Sequence, residues 1–335
     1  MLDFALNMAS FALQTAVIVI ALLIIIAFIA SLLSKDKQAS ELKIKNLNKK
    51  LEKNRNSLLK SQLNKKEFKK HLKDNKPDKK KKDTKNKLYV LEFEGDIKAS
   101  ATDQLREEIS TVLSVATKDD QILLKLESPG GMVHGYGLAA SQLERIKTAG
   151  IPLTISVDKI AASGGYMMAS IADKIIAAPF AIIGSIGVIA SVPNIHKVLK
   201  KNDVDYLEIT AGEFKRTLTP MGEVTESGMK KFKEQIEDVH GLFKNHVKSQ
   251  RPQVDLSKVA TGEYWYGQQA KDLLLVDELG TSDDYLMSQM KNFTILQVKF
   301  AGKRSLKEKL SESMNFLIEK SLTKISTDVH KKQYF

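Results

Sequence analysis

The stretch Ala161-Ala162-Ser163-Gly164-Gly165-Tyr166 decides the fold of this chain, because it joins two segments with different local preferences. Residues 151–157 before it are apolar and rich in β-branched side chains, which predicts a buried strand, and residues 167–170 after it suit a helix. A strand, a sharp turn and a helix place the Ser163 hydroxyl at a helix N-terminus, where backbone N–H groups favour a developing negative charge. The glycines that follow allow another part of the backbone to come close. Ser163 is therefore a candidate nucleophile.

Strands and helices are predicted to alternate on both sides of this stretch. A capping box formed by Ser100 and Asp103 is expected to open the helix after the first strand. Alternation at this spacing indicates parallel strands joined by right-handed crossovers, so the predicted fold class is α/β. A further strand is expected at residues 204–210 and a long amphipathic helix at residues 225–250. The other predicted strands are at residues 88–94, 121–127 and 174–178.

The positive charge of the chain lies in one segment. The 335 residues carry a net charge of +12, but the segment from Lys35 to Lys87 contains 21 Lys and Arg against 7 Asp and Glu, a net charge of +14. The remainder is nearly neutral, and Phe68 is the only Phe, Tyr or Trp among the lysines that could stack on a base, so we expect no nucleic-acid partner. The chain has no cysteine, which excludes disulfides and thiol catalysis. No metal and no other cofactor is expected.

The N-terminal segment has the length and composition of a membrane anchor. Residues 4–34 contain no charged side chain, and residues 11–33 are almost wholly apolar, which is enough for a helix to cross a bilayer. The apolar run is too long for a cleavable signal peptide, and no basic region precedes it. The lysines that follow would place the bulk of the protein in the cytoplasm by the positive-inside rule.

These observations predict four regions. Residues 1–34 form a transmembrane anchor and residues 35–87 a Lys-rich linker that is partly helical and can approach anionic lipid headgroups. Residues 88–290 form the folded domain, and residues 291–335 form a C-terminal extension of strand and helix.

Three glycine-bearing turns are predicted at the ends of strands. They are Ser128-Pro129-Gly130-Gly131, Ser163-Gly164-Gly165 and Gly184-Ser185-Ile186-Gly187. The carboxyl ends of parallel strands gather at one edge of a sheet, so we expect the three turns to meet. No phosphate-loop lysine accompanies them, which favours an oxyanion hole over a nucleotide site. Gly130 or Gly131 is expected to supply one N–H donor and Gly164 the other.

A serine nucleophile needs a base, and two kinds of residue are candidates. His134, just after the Gly130-Gly131 turn, is the only one of the six histidines placed to reach Ser163. A lysine can also act as a base when burial lowers its pKa from about 10.4 toward 7–8. Lys215 has the apolar neighbours Phe214, Leu218 and Met221, whereas Arg216 cannot give up its proton. From the residues alone, both candidates stay open.

The order of the motifs resembles the signal peptide peptidase A family of serine–lysine membrane peptidases. The matching stretches are residues 128–131, 162–166, 184–188, 212–216 and 275–280. The resemblance implies that Ser163 is the nucleophile and that Lys215, 52 residues later, is the general base and acid. It also implies a ClpP/crotonase-like spiral of ββα units, assembly into a homo-oligomer, and a catalytic domain outside the cytoplasm, contrary to the charge count. The chain would then reside in the inner (plasma) membrane.

The function expected from this resemblance is that of a membrane-anchored serine endopeptidase. It would cleave peptides or unfolded segments near the bilayer, with signal-peptide remnants as one class of substrate. Ser185 is expected to hold the lysine amine in place. Two alternatives are an inactive membrane scaffold and a hydrolase of acyl-CoA type on the same fold, which would use the oxyanion donors without a serine–lysine pair.

Overall fold

The computed structural model describes residues 41–74 and 85–301 and, ahead of them, Thr15 and Val19. Leu42–Phe300 form one compact unit that holds every candidate site residue. No helix in the described part of the chain is long and apolar enough to cross a membrane. The span predicted at residues 11–33 lies outside the described residues except for Thr15 and Val19, which are helical.

In the described part of the chain, strands and helices largely alternate from residue 87 onward, as predicted, apart from two pairs of consecutive strands and one run of three consecutive helices. The strands are β1 (Glu41–Asn46), β2 (Lys87–Glu94), β3 (Gln121–Glu127), β4 (Leu153–Val157), β5 (Ile160–Ala162), β6 (Lys174–Ala177), β7 (Ile182–Gly184), β8 (Tyr264–Tyr266), β9 (Glu278–Leu279) and β10 (Thr294–Ala301). The helices are α1 (Leu47–Gln62), α2 (Lys65–Asp74), α3 (Thr102–Leu113), α4 (Val133–Thr148), α5 (Gly164–Ala169), α6 (His196–Lys201), α7 (Glu226–Gln250), α8 (Leu256–Val259), α9 (Gly267–Asp272) and α10 (Ser282–Gln289).

Seven strands form the main sheet, in the order β1-β10-β2-β3-β4-β6-β9. The neighbours from β10 to β9 pair in parallel, with Leu124 of β3 opposite Ile155 of β4 and Ile155 opposite Ile175 of β6. Parallel neighbours require crossovers, and α3, α4 and α5 lie in the connections between them. The predicted α/β class is confirmed.

The main sheet buries both of its faces, which explains why its strands are so apolar. On one face, side chains such as Phe93, Leu124 and Ile155 join the large core with α3, α4 and α5. On the other face, Val90 and Leu123 belong to a smaller cluster that α10 covers. Burial of alternate residues on opposite sides follows from the two-residue period of a strand.

A second sheet of three strands, in the order β5-β7-β8, carries the candidate serine. β5 pairs in parallel with β7, and β7 pairs antiparallel with β8, so this sheet is mixed. A bridge between Ser128 and Ala161 connects the end of β3 to β5. This bridge brings the turn after β3 next to the turn after β5.

Two local predictions were wrong. Ser100 does not cap α3, because its backbone N–H and its hydroxyl both bond to the Asp96 carboxylate, and the helix begins at Thr102 without a side-chain cap. Residues 204–210 form no strand and are exposed throughout. A β-strand needs a neighbour to accept its hydrogen bonds, and no strand of the described chain pairs with this segment. The long helix predicted at residues 225–250 is α7, capped by the Thr225 side chain.

Part of the Lys-rich segment packs against the sheet. α1 begins beside β10, where the Asn48 amide donates to the carbonyls of Met290 and Phe293 and its oxygen accepts from Ile295 N–H. Residues 42–74 and residues 294–300 of β10 belong to the same compact unit as the domain at residues 88–290. Residues 75–84, which include the four consecutive lysines of the linker, lie outside the described residues.

Candidate active site

Ser163 lies on the turn between β5 and α5 in a backbone conformation that few residues adopt. Its φ of 51° and ψ of −120° fall outside the regions favoured by L-amino acids, and such strain costs on the order of 1–3 kcal/mol. The Ser163 N–H donates to the Gly184 carbonyl at 2.7 Å, which holds the turn against the end of β7. The side chain is half-buried, and its hydroxyl makes no hydrogen bond within the described residues. A strained strand-to-helix turn that presents an unengaged serine is the geometry of a nucleophile elbow.

Backbone from two turns lies directly beside Ser163. Gly164 is the first residue of α5, so its N–H has no partner inside the helix. The turn after β3 lies directly against it, since a Cβ built on Gly130 would be 2.7 Å from Ser163 Cβ and 2.8 Å from Gly164 N. Two of the three predicted turns therefore touch at the candidate nucleophile.

The two glycines of the turn after β3 differ in what their N–H groups do. The Gly130 N–H donates to the Ser128 hydroxyl at 3.1 Å, so it is already engaged. The Gly131 N–H makes no hydrogen bond within the described residues, and Gly131 is exposed. Sequence reasoning left the two open as oxyanion donors, and the hydrogen bonding favours Gly131.

Ser185 is held by the loop before β8. Its N–H donates to the Glu263 carbonyl at 2.7 Å and its hydroxyl donates to the Gly262 carbonyl at 3.3 Å. Its φ of 50° is again that of a strained turn. The third predicted turn thus reaches Ser163 through the Gly184 carbonyl, while the Ser185 hydroxyl is bonded to Gly262.

Lys215 is exposed and stands apart from this cluster of turns. Its amine makes no hydrogen bond or ion pair within the described residues, and its backbone N–H donates to the Gly212 carbonyl. Phe214, expected to desolvate it, is itself 42% exposed and lies 5.6 Å from the Lys231 amine instead. The single-chain structure therefore groups Ser163 with the glycine turns and does not group Lys215 with them.

The other candidate base is His134. His134 is exposed on the first turn of α4 and makes no hydrogen bond to Ser163. Across the residues that the structure describes, no group of three or more His, Cys, Asp or Glu is arranged to hold a metal ion.

Sequence analysis did not assign a role to Tyr136, although it lies at the centre of the site. Its side chain is fully buried, its hydroxyl contacts Ser128, and its ring lies against Gly164. A local signal does exist, because Tyr136 stands between two glycines, Gly135 and Gly137, on an otherwise amphipathic helix. Small neighbours on a helix often mark a close backbone approach.

A second buried polar group supports α5 from the other side. Arg251, 4% exposed, makes a bidentate pair with Asp277 at 2.7 and 2.9 Å and also donates to the Leu274 carbonyl. The Tyr166 hydroxyl donates to the neighbouring Leu275 carbonyl at 2.9 Å. Burial raises the pKa of Tyr166, which keeps this hydroxyl protonated as a donor.

Nearly the whole described chain matches known protein families. Residues 3–143 match the family described as Peptidase family S49 N-terminal, and residues 145–295 match Peptidase family S49. The boundary between the two matches falls inside α4, so both contribute to the cluster of turns around Ser163.

Three known relatives are 34% to 57% identical to this chain over the aligned residues. The Probable protease SohB of Haemophilus influenzae is 57% identical over 245 residues, which cover 72% of this chain and 69% of that protein. The Probable protease SohB of Buchnera aphidicola subsp. Acyrthosiphon pisum is 51% identical, with 73% of each chain covered. The Putative signal peptide peptidase SppA of Enterococcus faecium is 34% identical over 173 residues, or 51% of this chain and 50% of that protein.

Proposed function

The chain belongs to peptidase family S49 and is a protease, and we propose that it cleaves peptides with Ser163 as nucleophile and Lys215 as general base and acid. One observation carries the proposal: Ser163 occupies a strained turn directly against Gly130 and Gly164, and within the described residues the N–H groups of Gly131 and Gly164 make no hydrogen bond. A hydroxyl next to two such donors can form a tetrahedral adduct whose oxyanion is stabilised at once.

The proposed reaction has two half-steps. The neutral amine of Lys215 takes the Ser163 proton as the oxygen attacks the peptide carbonyl, and the oxyanion accepts from the N–H groups of Gly131 and Gly164. The C–N bond breaks, and the Lys215 ammonium returns its proton to the leaving amine. Water then attacks the acyl-enzyme and gives its proton to Lys215. The acyl C–O bond breaks as the Lys215 ammonium returns that proton to the Ser163 oxygen, which releases the carboxylic acid product.

Lys215 must be covered for this reaction, because an amine in water is protonated and cannot accept a proton. The segment of residues 189–215, which ends at Lys215, exposes large apolar side chains. Ile189 and Leu207 are 88% exposed and Ile209 is 96% exposed. Large apolar side chains exposed along one segment of the chain are typical of a surface that becomes buried in an interaction. We place Lys215 beside Ser163 when this segment docks on the catalytic cleft in a homo-oligomer, with Ser185 in support.

The protein is proposed to act at the membrane. Residues 11–33 would span the bilayer as a single pass, the Lys-rich linker 35–87 would lie near the headgroups, and the domain 88–290 with the extension 291–335 would follow. Substrates would be peptides or unfolded segments near the bilayer, including signal-peptide remnants, bound in extended form along a strand edge. In fold, we assign the domain to the ClpP/crotonase-like spiral.

The side of the membrane is open to a direct test, because the chain has no cysteine. Family resemblance favours an extracytoplasmic catalytic domain, and the lysines after the anchor favour a cytoplasmic one. The variant Ser141→Cys places one thiol on an exposed position of α4. Labelling of intact spheroplasts by a membrane-impermeant maleimide is expected only if the domain lies outside the cytoplasm.

The catalytic pair is tested with purified full-length protein and a fluorogenic peptide. Ser163→Ala and Lys215→Ala should each lower kcat at least about 10³-fold, and Lys215→Arg should be as inactive because a guanidinium cannot act as a base. Lys118→Arg, at an exposed lysine between α3 and β3, is the matched control and should keep full activity. Equal turnover in all variants would contradict the catalytic pair and favour a scaffold or a different hydrolase chemistry.

Mixing the two inactive variants shows which chain supplies the lysine. If the segment docks on a second copy, Ser163→Ala mixed with Lys215→Ala restores part of the activity, because one kind of site then holds both intact residues. If the segment closes over its own chain, every site lacks one residue and the mixture stays inactive.

A further inference from the structure

A continuous chain of hydrogen bonds lies directly behind the candidate oxyanion donors. The Gly130 N–H donates to Ser128 Oγ at 3.1 Å, Ser128 Oγ is 2.6 Å from the Tyr136 hydroxyl, and that hydroxyl donates to the Asp96 carbonyl at 2.8 Å. The Ser128 and Tyr136 side chains are fully buried. Each link is within the distance of a good hydrogen bond.

The two ends of this chain of hydrogen bonds determine which atom donates and which accepts in every link. A backbone N–H can only donate and a carbonyl can only accept, so the Tyr136 proton must point to Asp96. The Ser128 proton is then the only one left for the middle link, and it points to the Tyr136 oxygen. Both hydroxyls donate once and accept once, so the chain is complete and each member polarises the next.

The far end of the chain is itself held in place. The Asp96 carboxylate accepts from the backbone N–H and the hydroxyl of Ser100 at 2.8 and 2.7 Å, which fixes the loop after β2. The next carbonyl of that loop, on Ile97, accepts from the Met132 N–H at 2.8 Å. The turn at residues 130–132 is therefore attached to this loop on both sides of Gly131.

The same tyrosine also contacts the other oxyanion donor. A Cβ built on Gly164 would lie 2.4 Å from Tyr136 Cγ, so the ring packs flush against the start of α5. A Cβ on Gly95 would lie 2.4 Å from the Tyr136 hydroxyl and 2.3 Å from Ser128 Oγ, so glycine is required there as well. The ring of Tyr136 thus sets the position of one donor and its hydroxyl that of the other.

We propose that Ser128 and Tyr136 are positioning residues of the oxyanion hole. By engaging the Gly130 N–H, they orient the next peptide so that the Gly131 N–H is presented to the adduct on Ser163, at a fixed separation from the Gly164 N–H. The inference rests on the proposed function, since it assumes that Ser163 is the nucleophile. An oxyanion donor acts on the transition state and not on the bound substrate, so its displacement lowers kcat more than it weakens binding.

The test compares Tyr136→Phe and Ser128→Ala with Thr102→Val in the full-length protein. Thr102→Val is the control, because it also removes a buried hydroxyl that donates to a backbone carbonyl, that of Ala99, and it should leave kcat unchanged. Tyr136→Phe and Ser128→Ala should lower kcat about 10- to 100-fold with KM within about threefold of wild type. In the double variant kcat should be little lower than in either single variant, because either change breaks the same chain of hydrogen bonds.

Peptide binding separates positioning from a general loss of structure. The same changes are made on a Ser163→Ala background, and the Kd of a labelled peptide is measured by fluorescence anisotropy. A Kd within about threefold of the Ser163→Ala parent, together with the loss in kcat, supports the inference. It is overturned if kcat stays within about threefold of wild type, or if kcat and peptide affinity fall by the same factor. Full activity of Ser163→Ala would instead refute the proposed function.

Discussion

Gly130 is a residue of the candidate site that has no room for a side chain. Its φ is +89°, and a Cβ would lie 2.7 Å from the Ala162 carbonyl oxygen, 2.7 Å from Ser163 Cβ and 2.8 Å from Gly164 N. Two of these atoms belong to backbone, which cannot move aside as a flexible side chain can. The variant Gly130→Ala therefore forces the turn after β3 away from Ser163.

The free-energy cost of Gly130→Ala has two contributions. A left-handed conformation costs a residue with a Cβ about 1–2 kcal/mol, and an added methyl group in a filled space costs about 1–3 kcal/mol. The sum is about 2–5 kcal/mol, and each 1.4 kcal/mol lost from transition-state stabilisation lowers the rate about tenfold. We expect kcat/KM for a peptide substrate to fall at least about 30-fold.

Gly137→Ala is the matched control, seven residues along on α4. Within the described structure no atom lies within 4 Å of its Cβ, and its φ is not in the left-handed region. Alanine is favoured over glycine inside a helix by about 1 kcal/mol, so this variant should keep full activity and gain about 2–4 °C in Tm.

Both variants are assayed for kcat/KM and for Tm by differential scanning fluorimetry. A Gly130→Ala protein with wild-type kcat/KM and wild-type Tm would refute the argument, because the turn would then have room that the structure does not show. A loss of activity in Gly137→Ala equal to that in Gly130→Ala would refute it as well, since helix α4 and not the turn would then be responsible.

Three further predictions concern stability. Burial raises the pKa of Glu108, whose Oε1 accepts from Phe300 N–H and whose Oε2 has no partner in the described structure. The contribution of Glu108 to stability is therefore present below its ordinary pKa of 4.5. It is lost as pH rises through the higher pKa of the folded state. Glu108→Gln should flatten the pH dependence of the free energy of unfolding measured in urea, and an unchanged dependence would contradict this assignment. Asp277→Ala leaves the buried guanidinium of Arg251 without its carboxylate and should cost about 3–5 kcal/mol of unfolding free energy, so a loss below about 1 kcal/mol would show that water replaces the pair. Gly241→Ala, in α7 with no described atom within 4 Å of its Cβ, should raise the unfolding free energy by about 0.5–1 kcal/mol, and a decrease would mean that the position is covered.

Much of the fold could be read from local patterns. The strand at residues 121–127 and the helix that ends before Gly150 lie where periodicity and glycine placed them. Strand and helix periods are properties of neighbouring residues, so they survive in any arrangement of the chain. The same is true of Ser163, because a strand, a serine, two glycines and a helix specify a sharp turn by themselves.

The failures are of one kind. Residues 204–210 have the composition of a strand, but strand formation needs a partner whose position no local pattern records. Ser100 has the spacing of a capping residue, but the Asp96 carboxylate lies closer and takes both of its hydrogen bonds. In each case a contact made by the folded chain overrode a valid local preference.

The sequence by itself determined that Ser163 sits on a turn between a strand and a helix and that glycines follow it. Only the tertiary structure decided that Gly130 lies against that turn, that its N–H is engaged by Ser128, and that the Gly131 N–H makes no hydrogen bond within the described residues. It also decided that Tyr136 joins the two turns. The reason is that a turn is set by the φ and ψ of a few consecutive residues, whereas a hydrogen bond between turns depends on crossovers that bring distant segments together.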